Sequence, residues 1–253
     1  MEHEHGNREV LHVNGISGRT VAGVDGCRAG WFGVILGPGE RRCVVLAPAA
    51  ENLLRAVGEC SLVLVDVPMG LPETPGDREC DRIARKMLGG RGSSVFPVPC
   101  REAVYAGSFA EACKVNRRNM GRAMSIQSYH ILPKVRDMDG LLRSSARARG
   151  LFRESHPELC FKALAGGPLR HAKKTRQGVE ERLGVLERFL PMARAVHEEA
   201  LSQYLRKDVA RDDVVDAMCL AVVADRYRHA PASAPKEPPV DACGLRMEIV
   251  HQG

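Results

Sequence analysis

Aromatic residues are scarce in this 253-residue chain: six Phe, four Tyr and one Trp make up 4% of it. A surface that binds single strands by stacking base after base needs more rings than that. The nine cysteines (27, 43, 60, 80, 100, 113, 160, 219 and 243) lie far apart, with no C-x-x-C pair and no Cys/His spacing suited to zinc. Several, Cys43 and Cys219 among them, sit in apolar runs where a free thiol behaves as a small hydrophobe. No apolar stretch is long enough to span a bilayer, and no secretory pattern opens the chain. No internal repeat is visible. The expectation is a reduced, soluble, cytoplasmic protein without a membrane partner.

Charge of one sign is not lacking, but it is unevenly spread. The net charge is +6, while residues 111–180 carry fifteen Lys/Arg against six Asp/Glu. The remainder is therefore slightly acidic, and the basic middle suits a polyanionic partner.

Local patterns order the chain. Residues 1–20 are polar, contain His3, His5 and His12, and read as a loose leader. Val21 to Asp25 and Trp31 to Leu36 are apolar runs separated by a glycine-bounded turn, and Arg42 to Ala47 makes a third strand of an antiparallel meander. Residues 48–59 have helical spacing. Leu62 to Val67 is a continuous apolar run, as expected of a central strand that is buried on both faces and parallel to its neighbour. Residues 69–150 loosen into Arg/Gly/Pro-rich text with one clear helix, from Ser108 to about Asn116. So long a stretch is a small helical subdomain or a lid inserted into the sheet domain. Leu151 to His156 reads as a strand with Phe152, Glu154 and His156 on one face. Pro157 starts a helix that Gly166 and Gly167 close. Residues 180–204 are helical with a break near Pro191, and the final strong helix runs from Asp212 to about Arg228. A Pro/Ala linker follows, and residues 245–250 form an edge strand.

Carboxylates recur at the ends of these elements. Asp25 ends the first strand and Asp66 the strand after the first helix. Glu154 lies in the later strand, and Asp213 and Asp216 open the last helix. Asp213, Asp216, Leu220 and Val223 share one stripe of that helix, so the acids belong to the face that packs on the sheet. Asp212 reads as its N-cap. Several carboxylates in one place repel and take up protons unless cations hold them. Hard divalent ions, Mg²⁺ or Mn²⁺, are the natural partners of Asp25, Asp66, Asp213 and Asp216. Two such ions roughly 3.5–4 Å apart can activate water and stabilise the leaving oxygen at a phosphodiester. His156 then suits proton transfer and the basic middle segment suits phosphate contact. Glu158, at the second position of its helix, reads as a dipole partner. Lys173 and Lys174 read as part of a solvated face.

The order of three meandering strands, helix, strand with a terminal Asp, later strand and acidic final helix resembles the ribonuclease H-like fold. The strings VDGCRAGW, VLVDVPMGLPE, RGSSVFPVPCREAV, ILPKVRDMD, ESHPELCF and DDVVDAMCLA are similar to those of the domain-of-unknown-function family number 429, described as predicted RNase H-like nucleases. The likeness runs from about Val21 to Asp225. It implies an α/β fold, a mixed five-stranded sheet flanked by helices, with 21–228 as a single domain, a helical insertion at about 69–150 and a Pro-rich linker with a short strand at 229–253. It also implies a catalytic set drawn from Asp25, Asp66, Glu154 and Asp213 or Asp216. Arg91, Arg101, Gln127 and Lys134 lie in family-like strings of the insertion, where they could line the site and bind substrate.

The function expected is divalent-metal-dependent hydrolysis of phosphodiester bonds in DNA or RNA. Two rivals stand beside it. One is a nucleic-acid-binding or regulatory protein without turnover. The other is an actin-like-fold phosphotransferase, which would need a second strand meander and a Gly-rich nucleotide loop that this chain lacks. A resolvase-like role would favour a homodimer.

Overall fold

The computed structural model describes residues 20–39 and 41–251. Residues 1–19 of the leader expected at 1–20, with its three histidines, lie outside the described residues.

Three strands form the expected meander: β1 (Val21–Cys27), β2 (Gly30–Leu36) and β3 (Arg42–Ala47). After helix α1 (Ala50–Val57), strand β4 (Leu62–Asp66) returns beside β1 and runs parallel to it. Strand β5 (Phe152–Glu154) adds in parallel to β4, so the sheet order is β3-β2-β1-β4-β5. The result is an α/β structure with a mixed five-stranded sheet flanked by helices.

Period-two alternation divides the sheet residues between two cores. Ala22, Val24, Trp31, Val63, Val65 and Phe152 face α1 and the insertion. Val21, Phe32, Val34, Leu62 and Leu64 face the other way, under α8 (Pro157–Ala165), α9 (Arg176–Leu186), α10 (Ala193–Gln203) and α11 (Arg211–Tyr227). In α11 every residue from Val214 to Ala224 is buried. A helix that is apolar on all sides must be covered on all sides, and α11 lies between the sheet and α8 to α10. Gly23 lets it lie close. A β-carbon built there would stand 2.1 Å from the Ala221 nitrogen and 2.2 Å from the Ala217 oxygen.

The regular elements of the insertion are all helical: α2 (Glu79–Leu88), a 3₁₀ turn at Gly89–Ser94, α3 (Arg101–Val104), α4 (Phe109–Met120), α5 (Ile126–His130), α6 (Leu132–Ser144) and α7 (Ala146–Leu151). Only α4 was legible as a separate helix, with Ser108 as its cap accepting from the Glu111 amide at 3.2 Å.

Several boundaries differ from the sequence reading. Strand β5 stops at Glu154, so His156 is not a strand residue but the N-cap of α8. The N-cap of α11 is Ala210, not Asp212. Part of the expected linker, Ala232–Ala234, is strand β6, paired antiparallel with β7 (Ile249–His251). Ser155 bridges Val250, which fastens this small sheet to the edge of β5. Cys43 is exposed because β3 is an edge strand, whereas Cys219 is buried as expected. Among the described residues no helix is long and apolar enough to cross a membrane.

Candidate metal centre

The parallel pairing of β1 and β4 sets Asp25 directly opposite Asp66. By parity Asp25 follows Val21 and Gly23, and Asp66 follows Leu62 and Leu64, so both acids point to the α11 face. Because α11 sits down on Gly23 at Ala217 to Ala221, the turn before that contact brings in Asp216. Carboxylate oxygens of Asp25, Asp66 and Asp216 all lie within 4.8 Å of one another.

Burial makes this grouping costly. Asp216 is 1% exposed and Asp25 8%. Burial first, and then the charges of Asp66 and Asp216, push the Asp25 carboxyl well above its ordinary range, with Lys173 pulling the other way. Burial also raises Asp216 to about 6, against the pull of Lys173.

Lys173 corrects the sequence reading. It is not part of a solvated face: its ammonium donates to Asp216 Oδ2 at 2.7 Å, and Asp216, Asp25 and Asp66 all raise its pKa against the effect of burial. Nothing in the polar string HAKKTRQ signals this, because the loop's destination is set by the tertiary fold.

The residues present fit a divalent cation. Among the described residues, Asp216 Oδ1 is buried without a hydrogen-bond partner. No hydrogen bond reaches the carboxylate of Asp25 or Asp66 among the described residues. Three carboxylates against one ammonium leave a double negative charge on hard oxygen donors, the complement of Mg²⁺ or Mn²⁺.

The other candidates divide. Asp213 is outside the convergent group. Its Oδ2 accepts from the Ala210 amide at 2.8 Å at the start of α11, and burial raises its carboxyl to about 6 against that bond. Glu154 lines the same cavity as Asp66 and Asp216 but leaves its strand on the opposite face, since it pairs with Val65 rather than with Asp66, and Val65 looks toward α1. Its carboxylate is held by Arg78 at 2.6 and 2.8 Å and by the Met69 amide at 2.6 Å. That buried pair, missed in sequence, organises the loop after β4, where Arg78 also donates to the Met69 and Gly70 carbonyls.

A cavity of about 690 Å³ opens at the C-terminal ends of β4 and β5, and Asp66, Asp216, Lys173, Lys174, His156 and Gln127 are among its lining residues. His156 Nδ1 is buried without a partner among the described residues, and its Nε2 is 3.5 Å from the Ser94 oxygen. Arg91 lines the same cavity but is tied to Glu158 at 3.1 Å and to the Leu169 oxygen at 2.7 Å. Glu158 therefore does more than face the helix dipole, as it also pairs with buried Arg182. Arg101 is elsewhere, engaged by Asp139 and Asp241, and Lys134 lies over the Trp31 ring, 5.3 Å from its centroid. Much of the basic excess of the middle segment is spent on such internal partners, so Lys173 and Lys174 are its main representatives in the cavity.

A family model described as "Protein of unknown function (DUF429)" matches residues 23–240. A search of the curated proteins finds no match, and neither does a search of the solved structures.

Proposed function

The chain belongs to the family described as Protein of unknown function (DUF429), and we propose that it is a divalent-metal-dependent nuclease with an RNase H-like fold that hydrolyses phosphodiester bonds. One observation carries this reading: carboxylates from β1, β4 and α11 converge with a buried, unpartnered oxygen on Asp216. The sheet order, an antiparallel meander extended by two parallel strands, supports the fold part of it.

Asp25, Asp66 and Asp216 would hold Mg²⁺ or Mn²⁺, which when bound supplies a Lewis acid for the phosphate and an acidified water. The rest falls to the chain's own groups. Lys173 balances part of the carboxylate charge and offers an ammonium to a phosphate oxygen. Lys174, on the cavity wall, adds a second positive charge for the substrate backbone. His156, on the cavity wall, would accept or return a proton. The α11 face and the β4 loop keep bulk water from the buried side of the acids.

The test is cleavage of a mixed panel (duplex, single strand, RNA–DNA hybrid, junction) with Mn²⁺, wild type beside Asp66→Asn. Cleavage that needs the metal and is lost in the variant supports the proposal. No cleavage of any substrate by folded wild-type protein rejects it.

A further inference from the structure

The cavity beside the acids has a neighbour. A second cavity of about 530 Å³ shares Ser93, Val95, Phe96 and Gln127 with the first, so the two are contiguous across the wall that these residues make. Each has the volume of a small-molecule pocket, roughly 300–1,000 Å³. Their linings differ in kind. Carboxylates and basic side chains together line the first, whereas among the described residues Arg85 is the only charged residue lining the second.

The second cavity carries three groups with spare recognition capacity. Phe96 is half-buried, its ring packed against the core beneath. Gln127 is exposed and makes no hydrogen bond among the described residues, leaving an amide with two donors and an acceptor. Arg85 is fixed by the Val95 oxygen at 2.8 Å and by Asp77, yet its second terminal nitrogen is buried without a partner among the described residues. An aromatic face, an amide and a guanidinium nitrogen are the chemistry that stacks on a base, reads its edge and meets an acceptor oxygen.

We propose that the second cavity is a subsite for the unpaired nucleotide next to the scissile phosphate, which makes single-stranded nucleic acid the substrate class. This rests on the nuclease reading of the acidic centre, because it takes the phosphate between the two nucleotides to lie at Asp25, Asp66 and Asp216. Phe96 stacks on the flanking base, Gln127 bonds its edge, and the positive charge of Arg85 favours the next phosphate. A base inside a duplex cannot enter without leaving its stack, so paired strands are excluded unless they are opened. One ring suffices for one base. The low aromatic content of the chain, which excludes a continuous stacking platform, leaves room for this single contact.

The experiment is binding of fluorescent oligothymidylates of one to four nucleotides, and of a fully paired duplex, in Ca²⁺ to hold back hydrolysis. Wild-type affinity is expected to rise roughly tenfold between the mononucleotide and the longer strands. Phe96→Leu, which keeps the apolar root without the ring, and Gln127→Ala, at an exposed position, should each reduce that rise and leave Mn²⁺ binding at the acids unchanged. A rise that survives both variants overturns the subsite, as does a duplex that binds as well as the single strand, or the absence of any rise. A small phosphorylated substrate would give that last outcome. Failure of the nuclease reading is read separately, from cleavage with Mn²⁺: a chain that cleaves without length dependence keeps the function and loses the subsite. One that binds with length dependence but never cleaves does the reverse.

Discussion

Asp25 and Asp66 are register partners in the parallel pairing of β1 and β4, on the same face and at the same level. Neighbouring strands lie about 4.8 Å apart, and backbone hydrogen bonds hold that spacing. Two like charges are thus held side by side by an element that cannot relax, and α11 adds a third. Such a site is built at the expense of the empty fold, which makes its effects measurable through stability.

The pH dependence of that cost has a definite sign. In the folded chain Asp25 titrates above its ordinary value of 3.8. The neutral form is favoured by folding, so the associated stability is complete below the unfolded value and is lost as pH rises through the higher folded value. In chelator, Asp25→Asn should therefore be more stable than wild type at neutral pH, by on the order of 1–2 kcal/mol. Urea unfolding from acid to neutral pH checks this, and the gap should close toward pH 4. Equal stabilities at neutral pH would mean that neither burial nor the neighbouring carboxylates disfavour the Asp25 charge.

Lys173 competes with a cation for Asp216, to which it donates at 2.7 Å. Lys173→Met should bind Mn²⁺ more tightly, by several-fold, yet turn over more slowly if the ammonium serves the phosphate. Calorimetric titration with the metal alone reads the first effect. Weaker metal binding would assign the lysine to supporting the carboxylates.

Glu154 belongs to the framework. Glu154→Ala leaves buried Arg78 with Asp81 as its remaining carboxylate, and should cost about 3 kcal/mol in urea unfolding. The folded variant should still be stabilised by Mn²⁺ to the wild-type degree. Loss of that response with stability unchanged would return Glu154 to the metal centre.

Gly23→Ala forces a methyl group into the α11 backbone. The expected loss is about 1–3 kcal/mol or more, with a smaller Mn²⁺-induced rise in Tm because Asp216 is displaced from its partners. An unaltered Tm would show that α11 has slack above the sheet.

The sequence carried the meander, β4 and α11 clearly, since each has a short, strongly apolar pattern of one period. Asp25 and Asp66 were legible because each ends such a run, and Asp216 because it lies in line with Leu220 and Val223. Glu154 misled because alternation within a strand assigns residues to two faces without saying which face is which. Only the register against Val65 decides that. The helices from α5 to α7 were hidden in an arginine-rich text, where charged residues break up the apolar stripe that Leu132, Val135, Met138 and Leu142 make at helical spacing. Arg78 and Lys173 were invisible for a different reason. Their partners lie 76 and 43 positions away, and no local pattern reports a contact of that kind.

The loop after β4 is also tied to the far end of the chain. The Leu71 amide donates at 2.9 Å to Asp241, which accepts from the Cys243 and Leu245 amides and grips Arg101 as well. Leu71 and Asp241 are 170 positions apart. At roughly 5–20 residues per second of synthesis, the loop waits about ten to thirty seconds on the ribosome for its anchor. The acidic pair of β1 and β4 is translated early, but the rim beside it closes last, so a nascent chain carries the charges of the site well before it carries its shape.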